Sequence, residues 1–306
     1  MTANTKEKPV AIVTGASSGI GFGITQALLE RGYCVVGNSR TISKSKELKA
    51  SEGLVLVDGD IGKKDTAVRV AEAAIRHFGR IDLLVNNAGI YIPKPFTEYT
   101  PEDFETMIGT NVAGYFFITQ QVVAQMRKQK SGHIVSISTT LTEQPLAGAP
   151  ISLPVLTKST IPAFSRALGM EYVADGIQVN TISPGVVDTP MHANDDHEFL
   201  KKLHPIPRLV QVSEIVDALL YLESAPMVNG ENIRIDGGAM QAQSGDKSLA
   251  GGPSSRLNES DLFVKIFGPD AGHVRLVYGV QSLPMGAPLV VEAVFEIEPA
   301  RRSMVR

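Results

Sequence analysis

The sequence predicts an α/β protein built on a doubly wound parallel sheet of about seven strands, with a small β-rich extension at the C-terminus. Strand-like and helix-like segments alternate from residue 10 to about residue 236, one early strand runs through glycines into a helix, and the composition changes after residue 243. Such alternation is typical of a parallel sheet with helices on both faces. We therefore expect a main domain over residues 1–243 and an extension over residues 244–306.

The apolar pattern places the alternating segments. Predicted strands cover residues 10–14, 33–37, 54–58, 81–86, 133–138, 177–182 and 231–235. Predicted helices cover residues 20–31, 64–78, 101–129, 155–174 and 211–224. Pro162 falls inside the fourth helix and should kink it, because proline lacks the backbone N–H that a helix interior uses.

The first strand leads directly into a glycine-rich turn. Val10–Val13 is apolar, and Gly15, Gly19 and Gly21 follow it around the start of a helix near Ile20. The helix dipole and the backbone N–H groups at such a position favour an anion, and glycine allows a pyrophosphate to approach the backbone. The sequence therefore predicts a dinucleotide site here. Its predicted contacts are Gly15, Ser17, Ser18, Gly19, Ile20 and Gly21.

The end of the second strand indicates which dinucleotide is bound. Dinucleotide folds commonly place an acidic residue there to bind the ribose hydroxyl, but this strand ends in Asn38, Ser39 and Arg40. A guanidinium can pair with a 2′-phosphate, so NADP(H) is predicted rather than NAD. After the third strand, Asp60, followed by Ile61, has two open roles: to contact the adenine or to cap the next helix.

Two asparagine-bearing segments follow. Asn87, Ala88 and Gly89 form a tight turn after the fourth strand, where a flat ligand could approach the backbone or the amide could satisfy turn groups. Asn111 lies in an apolar helical segment, so its amide needs a partner. It is either bonded to the main chain or part of a site, and the residues alone favour the structural role.

Composition narrows the expected partners. The chain has 306 residues, 43% of them hydrophobic, and a net charge of −3 with no basic block, so nucleic acid is not an expected partner. The polar N-terminal residues do not resemble a signal peptide, and no apolar run is long enough to span a membrane. A cytoplasmic protein that does not associate with a membrane is expected.

Together these motifs resemble the short-chain dehydrogenase/reductase family over roughly residues 8 to 243. The residues that match in order and near the family's spacing are Thr14 with the three glycines, Asp60, Asn86–Gly89, Asn111, Lys158, Pro184, Gly185, Thr189 and Asp236–Gly238. The resemblance implies a Rossmann-like sheet, a nicotinamide cofactor and a homotetramer or homodimer. It also implies hydride transfer between that cofactor and a small-molecule carbonyl or alcohol.

The family's active site is a tetrad of asparagine, serine, tyrosine and lysine. The resemblance assigns the first and last members to Asn111 and Lys158, and the serine to either Ser138 or Thr139. The tyrosine should lie four residues before the lysine, where this chain has Pro154. In the family that tyrosine donates a proton to the carbonyl oxygen, and general acid catalysis of this kind contributes about 10²–10⁴ in rate.

Three interpretations of the departure at position 154 stay open. Another group could supply the proton: Tyr91, Glu143, His192, His204 or a water held by Lys158. The substrate could instead be an activated C=C or C=N compound that needs only positioning. Alternatively, the protein could bind NADP(H) without turnover, as a sensor or scaffold subunit. The predicted substrate-pocket residues are Tyr91, Glu143, Met191 and His192.

The resemblance also implies a loop over the nicotinamide, with Lys158 on the ribose. The loop residues expected to contact the cofactor are Pro184, Gly185, Val187 and Thr189. Residues 192–204 would form a substrate lid, and their irregular spacing of histidines and aspartates predicts no metal site. After residue 243, a Gly- and Ser-rich linker precedes three strand-like runs, which we expect to dock on the main domain or on a neighbouring subunit.

Overall fold

A computed structural model of the chain describes residues 8–242. The predicted C-terminal extension, residues 244–306, and the docking expected of it lie outside the described residues. The strands are β1 (Val10–Thr14), β2 (Cys34–Ser39), β3 (Leu54–Asp58), β4 (Leu83–Asn86), β5 (Gly132–Ile137), β6 (Ile177–Pro184) and β7 (Asn232–Ile235). The helices are α1 (Gly19–Glu30), α2 (Lys64–Phe78), α3 (Pro101–Ile108), α4 (Tyr115–Gln129), α5 (Ser152–Lys158), α6 (Thr160–Glu171), α7 (His197–Lys201), α8 (Val212–Ser224) and α9 (Ala239–Ala242).

The seven strands form one parallel sheet in the order β3-β2-β1-β4-β5-β6-β7. The predicted doubly wound, Rossmann-like fold is confirmed. The strand order reverses between β1 and β4, so the loops that follow these two strands diverge to opposite sides. Ligands of such sheets bind in the crevice at the carboxyl ends of the strands, at this reversal.

Helices cover both faces of the sheet because successive strand residues point to opposite faces. In β1, Ala11 and Val13 belong to an apolar core that also contains residues of α1 and α8. Val10 and Ile12 belong to the opposite core, which contains residues of α2, α4 and α6. The near-continuous apolar strands of the sequence follow from this burial on two sides.

The helix expected over residues 101–129 is interrupted. A π-helical turn at Gly109–Gly114 separates α3 from α4. At Gly114 a Cβ atom would lie 2.9 Å from a side-chain atom of Ile61, and inside the turn the Asn111 amide reaches Ile90. Close packing and a side chain bonded outside the helix therefore locally override the regular helical pattern, as π-bulges at functional sites often do.

The helix expected over residues 155–174 is interrupted ahead of Pro162. Helix α5 ends at Lys158 and α6 begins at Thr160, with Ser159 between them. Pro162 cannot donate to the carbonyl of Lys158 four residues earlier, so the hydrogen-bond ladder is broken at that point. Among the described residues, no helix combines the length and the apolar character needed to cross a bilayer.

A buried polar network joins β5 to α8 at the edge of the sheet away from the crevice. Asn180 donates its amide to Val228 and accepts from the Glu231 N–H, which fixes the orientation of the amide. It therefore donates to His133 Nε2 at 3.0 Å, so His133 carries its proton on Nδ1 and donates it to Glu223. The Glu223 carboxylate is thus the acceptor at the end of this chain.

Glu223 also accepts the hydroxyl of Tyr33 at 2.9 Å. Burial, followed by the Glu223 charge, raises the pKa of Tyr33, so the phenol stays protonated and donates. Replacing Glu223 by alanine would leave two donors, on Tyr33 and His133, without their acceptor. Buried groups left in this way cost about 1–3 kcal/mol each.

We predict that Glu223→Ala lowers the free energy of unfolding by about 2 kcal/mol, because the buried His133 and the half-buried Tyr33 both lose their acceptor. Urea denaturation followed by circular dichroism measures this change. Glu72→Ala, an exposed glutamate on α2, is the matched control and should change stability by less than about 0.5 kcal/mol. Equal stability of the two variants would contradict the network.

Candidate functional site

A cavity of about 650 Å³ opens at the carboxyl ends of the central strands. Its volume is typical of a pocket for a cofactor or a small ligand. It is lined by most of the residues that the sequence singled out: Gly15, Ser17, Ser18, Gly19, Ile20, Asn38, Ser39, Arg40, Asp60, Ile61, Asn87, Ala88, Gly89, Tyr91, Ser138, Thr139, Lys158, Pro184, Gly185, Val187, Thr189, Met191 and His192. The structure therefore brings both ends of the predicted site into one space.

Three predicted site residues do not line this cavity: Gly21, Asn111 and Glu143. Gly21 packs α1 against the turn before it, because a Cβ atom there would lie 2.3 Å from the carbonyl oxygen of Gly15. Glu143 accepts from the Asn232 amide at 2.6 Å and forms an ion pair with Arg234 of β7. The Glu143 carboxylate is thus held at the β7 edge of the sheet.

The glycine turn leaves the N-terminus of α1 open toward the cavity. Gly15 and Gly19 have φ values of +66° and +53°, which side-chain-bearing residues rarely adopt. The N-cap residue Ser18 makes no capping hydrogen bond from its side chain, and Gly19 and Ile20 line the cavity. Backbone N–H groups and the positive end of a 12-residue helix thus face a space in which an anion can bind.

Hydrogen bonds fix this turn to the turn after β4. The Thr14 hydroxyl accepts from the N–H groups of Asn87 and Ala88 at 3.1 Å and 3.0 Å. The Asn87 amide in return donates to the carbonyl oxygens of Thr14 and Gly15 at 2.9 Å and 3.2 Å. Asn87 therefore joins the glycine turn to the turn that carries Ala88 and Gly89, so the two walls of the cavity keep a fixed separation.

The end of β2 presents a cation to the cavity. Arg40 is exposed and lines the cavity beside Ser39. Asn38 is buried, and its amide donates to Val57 at 2.9 Å and Gly59 at 3.2 Å. Asp60 accepts from the Gly62 N–H at 2.9 Å, which supports the turn before α2. Asp60 also lines the cavity. Its position is therefore compatible with both predicted roles, contact with the adenine and capping of the next helix.

Asn111 acts as a clamp between main-chain segments. Its side chain accepts from the Ile90 N–H at 2.9 Å and donates to the Ile90 carbonyl and to the Thr157 hydroxyl, both at 3.0 Å. The Thr157 hydroxyl in turn donates to the Pro154 carbonyl at 3.0 Å. The amide of Asn111 thus connects the loop after β4 to the first turn of α5, in line with the structural role that its sequence context favours.

Lys158 is held at both ends, by Ile137 at the end of β5 and by Ser138 directly after it. Its Nζ donates to the carbonyl oxygen of Ile137 at 2.8 Å. Its own carbonyl, which Pro162 cannot reach with a hydrogen bond, accepts from the Ser138 hydroxyl at 3.2 Å. Desolvation by burial lowers the pKa of Lys158 to about 8. The lysine therefore titrates near neutral pH, and Ser138 positions its backbone.

The Thr139 hydroxyl has a local role. It accepts from the N–H of Leu141 at 3.3 Å and caps the 3₁₀ turn at Thr140–Thr142. Its remaining hydrogen-bonding capacity is not used by another described residue, and Thr139 lines the cavity. Of the two hydroxyls at this position, Thr139 is the one whose proton stays available to a ligand.

Position 154 brings an apolar ring to the cavity wall. Pro154 is buried in the first turn of α5 and lines the cavity. Among the described residues, Tyr91 is the one tyrosine in this lining. The Tyr115 hydroxyl lies 3.3 Å from Ser165 Oγ and borders a separate, much smaller cavity. The Tyr33 hydroxyl is bound to Glu223.

The lid segment contributes two histidines with different environments. His204 is buried and accepts the Val186 N–H on Nε2 at 3.0 Å, so its proton is on Nδ1, which donates to Arg208 at 2.8 Å. His192 Nδ1 lies 2.7 Å from the Asp195 carboxylate. Both members of this pair line the cavity. In residues 8–242, no group of three or more histidine, cysteine, aspartate or glutamate side chains is placed to hold a metal ion.

Sequence reasoning missed the apolar wall of the substrate end. Its members are Leu141, Leu146, Ile151, Val155, Phe199, Leu200, Leu203 and Met240. Phe199, Leu200 and Leu203 follow a helical spacing in residues 192–204. This spacing is the sequence signal that could have identified them. The other wall residues lie in loops or in helical segments of seven residues or fewer, which are too short for apolar periodicity to distinguish a pocket from a core contact.

Comparison with known proteins places this geometry in a family. The family model of the short chain dehydrogenases matches residues 9–199. An acetoacetyl-CoA reductase of Acinetobacter is 35% identical over 245 residues, which cover 76% of this chain and 98% of the relative.

Two solved structures are similar over the same part of the chain. A 3-ketoacyl-(acyl-carrier-protein) reductase from Brucella melitensis, complexed with NADH, has a TM-score of 0.72 at 26% identity and covers 76% of this chain and 98% of its own. A gluconate 5-dehydrogenase from Burkholderia cenocepacia, in complex with NADP and tartrate, has a TM-score of 0.71 at 27% identity and covers 76% and 96%. The chain belongs to the short-chain dehydrogenase family.

Proposed function

We propose that this protein is an NADP-dependent oxidoreductase that transfers hydride between a nicotinamide and a small carbonyl or alcohol, or an activated C=C or C=N compound. In this proposal Pro154 occupies the place of the tyrosine used by the family, so the tetrad is incomplete. The observation that supports it most is a single cavity that joins the open N-terminus of α1, Arg40 and Lys158.

The residues of the cavity fit a nicotinamide dinucleotide. The open N–H groups of Gly19 and Ile20 suit the pyrophosphate, and the small residues Ala88 and Gly89 leave room against the backbone. At Gly89 a Cβ atom would lie 3.0 Å from Lys158 Nζ. Any larger residue would therefore press on the lysine that we assign to the ribose hydroxyls.

The preference for the 2′-phosphorylated cofactor follows from the charges near the end of β2. Arg40 lines the cavity without a carboxylate partner among the described residues. Asp58, the acidic residue at the end of the adjacent strand, accepts from the N–H and hydroxyl of Ser43 and does not line the cavity. A guanidinium that is not paired with a carboxylate favours a phosphate over a free hydroxyl.

Arg40→Ala should weaken NADPH binding by about tenfold to a hundredfold, because a charge-assisted hydrogen bond contributes about 1.5–3 kcal/mol. The affinity for NADH should change by less than about threefold. Fluorescence titration of both reduced cofactors measures the two affinities. Arg76→Ala, an exposed arginine on α2, is the matched control. An equal loss for both cofactors would contradict the assignment of Arg40.

When bound, the nicotinamide supplies or accepts the hydride. Lys158 would hydrogen-bond the ribose hydroxyls, and Pro154 and Val155 would offer the cofactor an apolar wall. Thr139 presents its hydroxyl to the substrate oxygen. Because burial lowers the pKa of Lys158 to about 8, its ammonium form, which donates three hydrogen bonds, predominates only below that pH.

We expect the affinity for NADPH to fall as the pH rises through about 8, the pKa of Lys158. The ammonium present below this pH loses a donor and its charge above it. Titrations between pH 6.5 and 9.5 should show this step in the wild type, and Lys158→Ala should bind more weakly with a flat profile. A step of equal size in the variant would assign the titration to another group.

The charge of the cavity also restricts the substrate. Among the described residues that line the cavity, Arg40 is the one arginine and Lys158 is the one lysine. We assign Arg40 to the adenosine end of the cofactor and Lys158 to the ribose. Asp195 adds a carboxylate at the lid. A substrate carboxylate would thus find no lysine or arginine of the lining left to pair with and would meet the like charge of Asp195, which is unfavourable in a partly desolvated site. The substrate we propose is uncharged and mostly apolar.

The proposed activity is tested by NADPH oxidation with a panel of neutral ketones, aldehydes, quinones, imines and enones, each carbonyl paired with its keto-acid analogue. We expect turnover of at least one neutral compound, lost in Lys158→Ala, with a kcat/KM at least about tenfold above that of its charged analogue. Tight NADPH binding with no turnover of any compound would instead identify a non-catalytic NADP(H)-binding subunit.

We also propose that the protein forms a homo-oligomer. Large apolar side chains are exposed on α3, α4, α5 and α6, and the most prominent are Phe104, Phe116, Leu156 and Met170. A second copy of the chain would remove this apolar surface from water.

A further inference from the structure

The cavity needs a proton donor if it reduces a carbonyl, because position 154 is a proline. Among the described residues that line the cavity, the candidate donors are its tyrosine, its lysine, its two histidines and the hydroxyl that the sequence aligned with the family's serine and that stays available to a ligand: Tyr91, Lys158, His192, His204 and Thr139. A donor needs a proton that is not committed elsewhere and an acidity suited to neutral pH.

Most of these groups are committed or poorly suited. His204 uses both ring nitrogens for the Val186 N–H and the Arg208 carbonyl. Lys158 donates to Ile137 and is assigned to the ribose. A threonine hydroxyl such as that of Thr139 is too weak an acid to release a proton at neutral pH. Burial, and then the nearby Tyr99 and Asp195, raise the pKa of Tyr91, which makes its phenol a weaker acid than usual.

His192 has the geometry that these groups lack. Asp195 Oδ2 lies 2.7 Å from Nδ1, and a carboxylate can only accept, so the proton of Nδ1 is fixed on that side. No described residue bonds Nε2. His192 follows the loop residue Thr189 by three positions and lines the cavity with Asp195. Its side chain is 19% exposed, so the ring can exchange protons with water from the lid.

From this arrangement we propose that the His192 imidazolium, oriented by Asp195, donates the proton that the family's tyrosine would supply. The proposal rests on the function proposed above. A carboxylate orients a histidine for proton transfer in the same way in other enzymes. Here the pair lies in the lid rather than on α5. Asp195 is a positioning residue, and His192 is the catalytic one.

The proton and electron balance is complete with a reduced nicotinamide dinucleotide as the reductant. The hydride and its electron pair add to the carbonyl carbon, and the π electrons of the C=O bond move to oxygen. The Nε2–H bond of His192 breaks and an O–H bond forms, which gives the alcohol. The ring is left neutral with its proton on Nδ1 beside Asp195, and water returns a proton to Nε2.

The groups around His192 come from two segments. Asp195 and His197 belong to the lid, and the His197 ring is hydrogen-bonded to the main-chain carbonyl of His192. Tyr91, from the loop after β4, interacts with Asp195. The raised pKa of Tyr91 leaves its phenol uncharged at neutral pH, and the charged group that contacts the His192 ring is the Asp195 carboxylate.

The kinetic test uses the best neutral carbonyl from the panel above with the full chain. His192→Gln should lower kcat by about 10²–10⁴, the usual contribution of a general acid, while the NADPH affinity stays within twofold of wild type. His77→Gln, an exposed histidine on α2, should keep wild-type rates. An unchanged kcat in His192→Gln would overturn the proposal.

A second test does not depend on turnover. In the cofactor-free protein, ¹⁵N NMR of the imidazole should show neutral His192 as the Nδ1–H tautomer, and Asp195→Asn should shift it toward the Nε2–H tautomer that free imidazole side chains prefer. Finding the Nε2–H tautomer in the wild type would overturn the orientation by Asp195. If no carbonyl is reduced while the Nδ1–H tautomer is present, the proposed function fails together with the donor role, and the His192–Asp195 pair alone is retained.

Discussion

The site depends on the hydrogen bonds that join the turn after β1 to the turn after β4. Thr14 and Asn87 exchange four hydrogen bonds with the backbone of the opposite turn and its neighbours. The strand order reverses between these two strands, so their loops would otherwise be free to separate. With them fixed, the N-terminus of α1 faces Gly89 and Lys158 across a constant gap, and a dinucleotide can span it.

Much of this could be predicted from the sequence because the signals were local. The glycine turn and the break in the helix ahead of Pro162 each follow from the conformational limits of single residues, and Arg40 follows directly from the end of β2. The seven strands follow from apolar runs that are buried on both faces. These features need no knowledge of which distant segments meet.

The features that the sequence did not predict depend on contacts between distant segments. The π-helical turn around Asn111 forms because its amide bonds to Ile90, on another loop. Glu143 is held by Arg234 on the last strand, although its place in the chain is close to the cavity. Pro162 leaves the Lys158 carbonyl without its helical hydrogen bond. Ser138 can be identified as the donor that replaces it only once β5 is known to lie beside α5. No periodic pattern records such pairings.

The central claim is that this cavity binds a nicotinamide dinucleotide with a proline where the family has its tyrosine. A crystal structure of the full chain with NADPH and a carbonyl substrate analogue tests it most directly. The account predicts the pyrophosphate at the N-terminus of α1, the nicotinamide beside Lys158 and Pro154, and His192 Nε2 within hydrogen-bond distance of the analogue's oxygen. A tyrosine hydroxyl at that oxygen, or a cofactor bound outside the cavity, would contradict it.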